Sequence, residues 1–206
     1  MSHYRIAVFA SGEGSNFQTL VDAGKAGLLG GAKVVLLVCD KPAAPVVKRA
    51  KDAGVEVHLF TPKSYSSRES YEAEIVEHLE ALNIELVVLA GYMRLLTSVM
   101  VDRYAGRLIN IHPSLLPSFP GRDAIQQALH YGVKWTGATV HFVDGGMDTG
   151  AIIAQQCVEI EPNATPESLA ASIHAVEQQL YPQVVSWFAQ GRVTVNDRQV
   201  TILSDK

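Results

Sequence analysis

The sequence predicts an α/β fold in which a mostly parallel central sheet is covered by helices on both faces. Short apolar runs alternate along the first half of the chain with segments of helical periodicity, which is the pattern of parallel βαβ units. The chain has 206 residues, 48% of them hydrophobic, so it is long enough to bury a core without disulfides or a structural metal. We therefore expect a single domain over residues 1–206.

Five strands and four helices are expected before residue 113. The predicted strands are the apolar runs Arg5–Ala10, Lys33–Cys39, Val55–Phe60, Glu85–Gly91 and Arg107–His112. The predicted helices lie between them, at Asn16–Ala26, Pro45–Ala53, Ser67–Leu82 and Thr97–Tyr104. Ser66 and Glu69 are expected to form a capping box at the start of the third helix.

The pattern changes after His112. Three prolines in PSLLPSFPG predict an ordered loop, which precedes a helix near Asp123–Tyr131. Two strands are expected at Thr136–Val143 and Ala151–Ile160, then a long helix from Thr165 to Gln190 with a kink at Pro182. The alternating tail RVTVNDRQVTI predicts a closing hairpin. Together these elements predict a Rossmann-like three-layer domain with a C-terminal helix plus hairpin.

Composition narrows the function. With 17 Lys and Arg against 21 Asp and Glu, the net charge is −4, so we expect small-molecule substrates and neither nucleic acid nor membrane partners. No apolar run approaches the roughly 20 residues that a membrane-spanning helix needs. Two distant cysteines and an N-terminus without a signal-peptide pattern predict a cytoplasmic protein, and the seven histidines lack metal-ligand spacing, so no metal is expected.

A glycine-containing turn, Ser11–Asn16, follows the first predicted strand. Glycine there lets backbone N–H groups at a helix start approach an anion, and Ser15 and Asn16 add side-chain hydrogen bonds. Phe17 stands where the dinucleotide fingerprint has its third glycine, so a mononucleotide or phosphosugar is favoured over NAD, although Asp40 lies where a ribose-binding acid would be. A tight turn without a ligand explains the glycines equally well.

Asn110 and His112 lie two positions apart at the end of the fifth predicted strand, so their side chains share one face. The pair suits a reaction at a carbonyl group, because the amide donates to a developing oxyanion and the imidazole transfers a proton. Asp148, in the loop DGGMDTG, is expected to orient His112 and to stabilise its protonated form. A core histidine and an ordinary turn aspartate are the alternatives for residues taken singly.

In order, these clusters resemble the folate-dependent formyltransferases. The resemblance covers nearly the whole chain and is carried by ASGEGSNFQTL, SRESYE, AGYMRLL, NIHPSLLPSFPG, GATVHFVDGGMDTGAIIAQ and EQQLYPQVVSWFAQGR. The pair NIHPSLLP and HFVDxGxDxG is the most specific part. The segment GSN points to members that act on a phosphoribosyl amine.

The resemblance implies roles for individual residues. The implied catalytic residues are Asn110, His112 and Asp148, with His112 as the general acid. The implied substrate-binding residues are Gly14, Ser15 and Asn16 for phosphate and ribose, and Glu177 at the glycinamide or ribose end. The implied formyl-folate site contains Arg68, Met93, Arg94, Leu95, Leu96 and Asn110. Two departures from relatives are Ile125, where many have a histidine, and Ala151, where a proline is common.

The implied reaction is transfer of the formyl group of 10-formyltetrahydrofolate to the amine of glycinamide ribonucleotide in purine biosynthesis, with no metal. The competing expectation is a formyltetrahydrofolate hydrolase, a class with an extra N-terminal domain, whereas the first strand here starts at Arg5. Formylation of a transfer RNA is disfavoured because no basic domain follows residue 206. A non-catalytic nucleotide-binding module would leave Asn110 and His112 unexplained. We expect a monomer or a weak homodimer.

Overall fold

The computed structural model describes residues 3–204, and most of its strands belong to one central sheet. These strands are β1 (Tyr4–Phe9), β2 (Ala32–Cys39), β3 (Glu56–Leu59), β4 (Leu86–Leu89), β5 (Leu108–His112), β6 (Trp135–Phe142) and β7 (Ile152–Glu159). Their order across the sheet is β3-β2-β1-β4-β5-β6-β7. Strands β1 to β5 pair in parallel, whereas β6 runs antiparallel to both β5 and β7. The predicted mostly parallel sheet is confirmed.

The helices and the C-terminal hairpin follow the predicted order. The helices are α1 (Ser15–Lys25), α2 (Pro45–Asp52), α3 (Arg68–Ala81), α4 (Ser98–Arg103), α5 (Ala124–Tyr131) and α6 (Pro166–Ala189). The hairpin pairs β8 (Val193–Asn196) with β9 (Gln199–Ile202). Bounds differ from the predicted ones by at most two residues, and a short 3-10 helix at Pro62–Ser64 was not predicted. The predicted domain limits at residues 1 and 206 lie outside the described residues.

The start of α3 differs from the prediction by one residue. Ser67, not Ser66, is the N-cap, and its hydroxyl accepts from the backbone N–H of Ser70 while the Ser70 hydroxyl accepts from that of Ser67. The capping box predicted from Ser66 and Glu69 is therefore wrong. The extended backbone that an N-cap requires occurs at Ser67, so the residue three positions later that completes the box is Ser70 and not Glu69.

Two apolar clusters lie on opposite faces of the sheet, which gives the three layers. One cluster packs the sheet against α1, α2 and α6, and the other packs it against α3 and α4. Alternation along each strand divides its residues between the clusters; in β1, Ile6 and Val8 point to the first and Ala7 and Phe9 to the second. Within residues 3–204, no helix is both long and apolar enough to cross a membrane.

Tyr181 connects α6 to the middle of the sheet. Its side chain is fully buried, and its hydroxyl donates to the carbonyl oxygens of Leu89 at 2.7 Å and Ile109 at 3.3 Å. These carbonyls belong to the neighbouring strands β4 and β5. The hydroxyl therefore stabilises the part of the sheet from which Asn110 and His112 project.

We expect Tyr181→Phe to lower the free energy of unfolding by about 1–2 kcal/mol, because two buried carbonyl oxygens lose their shared donor. Urea unfolding of the purified variant measures this difference. Tyr131→Phe is the matched control, since Tyr131 is 79% exposed and should change stability little. Equal stability of the two variants would contradict the role given to the Tyr181 hydroxyl.

Candidate active site

Asn110 and His112 project from β5 on the sheet face that carries α3 and α4. The apolar cluster on this face reaches Leu108, at the start of β5, while Ile109 and Ile111 point to the opposite cluster. Antiparallel pairing places His141 of β6 opposite Asn110 and Thr139 opposite His112. Four polar side chains therefore share one face of two adjacent strands.

His112 is held between a backbone carbonyl and a carboxylate. Its Nε2 atom lies 2.8 Å from the carbonyl oxygen of Phe119, and its Nδ1 atom lies 3.4 Å from Oδ2 of Asp148. Because a carbonyl oxygen only accepts, Nε2 carries a hydrogen, and Nδ1 is the atom that faces the negative charge. The predicted meeting of His112 with Asp148 is thus present in the structure.

A second imidazole lies on the other side of Asp148. Nε2 of His141 is 3.6 Å from Oδ1 of Asp148 and 3.2 Å from Nδ2 of Asn110. Nδ1 of His141 donates to the carbonyl oxygen of Phe142 at 2.7 Å, which fixes the orientation of the ring. Nε2 of His141 therefore lies between the Asn110 amide and the Asp148 carboxylate.

The charge on Asp148 is stabilised by its neighbours. Its side chain is 13% exposed, and this burial by itself would raise the pKa of the carboxyl group. The His141 ring, the backbone N–H of Gly121 at 2.7 Å and the His112 ring outweigh burial, so the pKa lies below its ordinary value. Asp148 is therefore a carboxylate at neutral pH.

The proline-rich loop after β5 is fixed by hydrogen bonds to β6 and β7. The Thr139 hydroxyl donates to the Ser114 carbonyl oxygen at 2.7 Å and accepts from the Leu116 N–H at 3.1 Å. The Gln155 amide donates to both the Thr139 hydroxyl and the Leu116 carbonyl oxygen, each at 2.9 Å. The same loop supplies the carbonyl that holds His112 and the N–H that holds Asp148, so its order determines the geometry of both.

The first loop lies at the carboxyl end of β1, and Gly14 is the N-cap of α1. Gly14 has φ of 74°, and a Cβ atom there would lie 2.4 Å from a side-chain carbon of Val46. Both backbone conformation and space therefore require glycine. No side chain caps the helix. The backbone N–H groups of its first turn, including those of Ser15 and Asn16, are therefore without a capping acceptor.

Asn16 contacts a buried acid that is 161 positions away in the sequence. Its amide nitrogen donates to Oε2 of Glu177 at 3.0 Å, and Glu177 on α6 is 5% exposed. Burial raises the pKa of Glu177, while the Asn16 hydrogen bond and the nearby His174 oppose that rise. The structure thus brings the predicted residues Asn16 and Glu177 together.

Asp40 connects the first loop to the segment after β4. This buried carboxylate accepts from the Ser11 hydroxyl at 2.6 Å and from Nε of Arg94 at 2.6 Å. The Ser11 hydroxyl also accepts from the backbone N–H of Met93 at 3.1 Å. Because both oxygens of Asp40 are bound within the protein, the structure gives it an anchoring position and not that of a ribose-binding acid.

The segment from Met93 to Leu96 is anchored at its other end by Glu72. This fully buried carboxylate accepts from the backbone N–H and hydroxyl of Thr97, at 3.0 Å and 2.6 Å. Between the two anchors, Met93 and Leu95 are 65% and 53% exposed. These apolar side chains therefore do not belong to the core, and Leu96 is half-buried.

The remaining predicted residues differ in position. Arg68 is exposed at the start of α3. Arg68 and Arg94 both lie near the hydroxyl of Tyr71. Burial of Tyr71 raises its pKa, and the two arginines oppose that rise only in part. The structure gives Arg68 no contact with Asn110, His112 or Asp148 in the described residues. Ile125 and Ala151, the two departures, are half-buried and pack against the apolar cluster of α1, α2 and α6.

Sequence reasoning missed His141, Thr139 and the anchoring role of Asp40. His141 and Thr139 are two positions apart in β6, so their side chains lie on the same face. This became informative only when the register of β6 with β5 was known. Among residues 3–204, no group of three or more His, Cys, Asp or Glu side chains has a geometry that could hold a metal ion.

Known proteins resemble this chain over nearly its whole length. A family model described as Formyl transferase matches residues 4–185. The phosphoribosylglycinamide formyltransferase of Bacillus subtilis (strain 168) is 49% identical over 181 residues, which cover 88% of this chain and 92% of that protein. The trifunctional purine biosynthetic protein adenosine-3 of Drosophila melanogaster is 43% identical over 93% of this chain, which spans 14% of that longer protein.

Solved structures share the fold as well as the sequence. The crystal structure of glycinamide ribonucleotide transformylase 1 from Symbiobacterium toebii matches with a TM-score of 0.95 and 42% identity, over 98% of this chain and 95% of that one.

We expect Glu177→Gln to stabilise the protein at pH 8. An acid with a raised pKa in the folded state makes its ionised form costly above that pKa, and the cost disappears as the pH falls toward the ordinary value of 4.5. Glutamine keeps an acceptor for Asn16 without the charge. Urea unfolding at pH 8 and pH 5 measures the gain, which should shrink at the lower pH.

Glu77→Gln, at an exposed position of α3, is the control and should change stability little at either pH. A Glu177→Gln variant that is less stable than wild type at pH 8 would contradict the cost of burying this charge.

Proposed function

Because the chain belongs to the formyl transferase family, we propose that it transfers the formyl group of 10-formyltetrahydrofolate to the amine of glycinamide ribonucleotide, a step of purine biosynthesis. The observation that carries the proposal is the meeting of Asn110, His112 and Asp148 in one partly buried site. The 49% identity to the Bacillus subtilis enzyme supports the choice of substrates.

Asn110 and His112 act on the oxygen of the formyl group. As the amine nitrogen bonds to the formyl carbon, this oxygen becomes negative, and the Asn110 amide and the protonated Nδ1 of His112 donate to it. The separation of 3.4 Å between Nδ1 and Asp148 exceeds an ordinary hydrogen bond, so the Nδ1 hydrogen is not committed to the carboxylate and is available to a substrate oxygen in the plane of the ring. Nε2 stays bound to the Phe119 carbonyl oxygen, which keeps the ring in place.

Asp148 balances the protons. It stabilises the positive charge of His112 before the reaction and accepts, through a water molecule, the proton that the attacking nitrogen loses. His112 gives its proton to the departing folate nitrogen when the bond between that nitrogen and the formyl carbon breaks. The proton held by Asp148 then returns to His112, so that one proton enters the site on the amine, one leaves on the folate, and no metal or redox partner is needed.

The substrate amine is positioned by the first loop. Backbone N–H groups at the start of α1 and the side chains of Ser15 and Asn16 bind the phosphate and ribose. Glu177, held by Asn16, contacts the glycinamide or ribose end. This binding makes attack on the formyl carbon effectively intramolecular, an advantage that a water molecule lacks.

The segment after β4 binds the formyl folate. Exposed Met93 and Leu95 provide apolar surface for a flat ring, the backbone between them provides hydrogen bonds, and Leu96 lies beside them. Arg94, held by Asp40, lies with the residues that contact the pterin, and Arg68 provides positive charge for the carboxylates of the folate tail. The anchors at Asp40 and Glu72 fit this role, because they hold exposed apolar side chains on a fixed backbone.

The partners that we propose are small molecules only, without nucleic acid or membrane. We also propose that the enzyme is cytoplasmic and works as a monomer or weak homodimer. The net charge of −4 supports the absence of a nucleic-acid partner, because binding to phosphate backbones needs clustered positive charge.

An assay with and without glycinamide ribonucleotide tests the proposal against hydrolysis. We expect 10-formyltetrahydrofolate to be consumed rapidly when the amine is present and only slowly in its absence, because water is not held against the formyl carbon. The measurement is the release of tetrahydrofolate together with formylated product. Equal consumption without the amine, with formate as product, would favour the hydrolase.

We expect His112→Ala to reduce kcat by about 10²–10⁴-fold, because the imidazole donates its proton mainly in the transition state. Dissociation constants for both substrates, measured by calorimetry, should change little. His130→Ala is the matched control, since His130 lies on α5 outside the site. Wild-type turnover in His112→Ala would remove His112 from the mechanism.

A further inference from the structure

The segment 144–150, which carries Asp148, has little apolar packing of its own. Asp144, Met147 and Thr149 are exposed, and Asp148 has φ of 56°, a conformation that a non-glycine residue adopts only when its surroundings hold it there. Within the segment, the Asp144 carboxylate accepts from the Gly146 N–H and the Thr149 hydroxyl. These bonds shape the loop, but they do not attach it to the rest of the protein.

A cavity of about 310 Å³ lies beside this segment. It is bordered by the proline-rich loop on one side, by residues 147–150 on another and by Arg198 of the C-terminal hairpin. Because the cavity removes packing from one side of Asp148, the position of its carboxylate depends on contacts at the borders. From the proline-rich loop, the Gly121 N–H provides one such contact.

The hairpin provides another contact. Arg198 lies in the turn between β8 and β9, and its Nη1 atom donates to the carbonyl oxygen of Thr149 at 2.9 Å. Val193, Val200 and Ile202 of the hairpin pack against the main apolar cluster, so the turn is fixed relative to the sheet. The bond from Arg198 thus joins a packed element to the peptide group between Thr149 and Gly150, one residue beyond Asp148.

We infer that Arg198 is a positioning residue for Asp148, and that the C-terminal hairpin thereby forms part of the active-site framework. The match to the family model ends at residue 185, so this contact comes from outside the matched region. The inference rests on the proposed function only for its catalytic consequence. Its structural part, that Arg198 holds residues 148–150 in place, stands without it.

Two variants of Arg198 and one control test the inference. Arg198→Ala removes the donor, and Arg198→Lys keeps a long side chain with a charged donor. Val195→Ala alters a side chain of the same hairpin that is 49% exposed and leaves Arg198 unchanged. Each variant is compared with the wild-type chain by hydrogen exchange of residues 144–150 and by formyl-transfer kinetics.

We expect Arg198→Ala to exchange faster at residues 148–150, since these amides lose their link to the hairpin. We also expect kcat to fall about tenfold or more with unchanged KM for both substrates, because a small displacement of a catalytic group slows chemistry more than binding. Arg198→Lys should recover most of the rate, and Val195→Ala should match wild type.

The pH profile gives a readout that general loosening of the hairpin would not change. Asp148 faces His112 from β5 and His141 from β6, and it receives the Gly121 N–H, while Asp144 lies in its own loop. If Asp148 moves away from these partners, its pKa rises, because burial is then opposed less. The acidic limb of kcat in Arg198→Ala should therefore lie at higher pH than in wild type.

Three results would overturn the inference. The first is unchanged exchange and kcat in Arg198→Ala. The second is a rise in KM alone, which would make Arg198 a ligand-binding residue. The third is an equal effect in Val195→Ala, which would indicate a loosened hairpin. Absence of formyl transfer in the wild-type chain would instead contradict the proposed function, and the exchange experiment would still test the positioning role.

Discussion

The carboxylate of Asp148 is the group on which the geometry of the site depends. It is largely buried, and a buried charge is costly unless donors and positive charge surround it. The two imidazoles and the Gly121 N–H come from β5, β6 and the proline-rich loop. Each of these elements must therefore place a group next to the two carboxylate oxygens of Asp148. Any displacement of one element would leave this charge less well stabilised, which couples the order of all three.

Buried carboxylates also anchor the loops on which the proposed substrates would lie. Asp40 holds Ser11 and Arg94, and Glu72 holds Thr97, so the segment between them is fixed at both ends. Glu177 differs, because Asn16 is its one hydrogen-bond partner in the described residues and burial raises its pKa. Burial of this ionisable group lowers the stability of the folded protein, which fits a residue that is retained for binding.

Local patterns explain how much could be predicted from the sequence. Apolar runs and turn residues located the elements within two residues, because each buried strand of this sheet must be continuously apolar. The pairing of Asn110 with His112 followed from strand alternation, which is also local. His141 and Asp40 could not be assigned in the same way, because their partners depend on strand register and on contacts between distant segments. The capping box was displaced by one residue because either of two adjacent serines could cap the helix, and the extended N-cap conformation occurs at Ser67.

The change from parallel to antiparallel pairing at β6 explains why the site lies where it does. Parallel strands need a crossover helix, and α3 and α4 cover the face of β1, β2 and β4 in that way. The connection from β5 to β6 instead places α5 on the other side, where Ile125 and Leu129 pack against the cluster of α1, α2 and α6. On the face that carries Asn110 and His112, α3 and α4 pack against the strands up to Leu108, while the carboxyl end of β5 is bordered by the proline-rich loop and residues 144–150. Polar side chains that an apolar helix face would leave unsatisfied have partners in these loops, which fits the proposed role of Asn110 and His112.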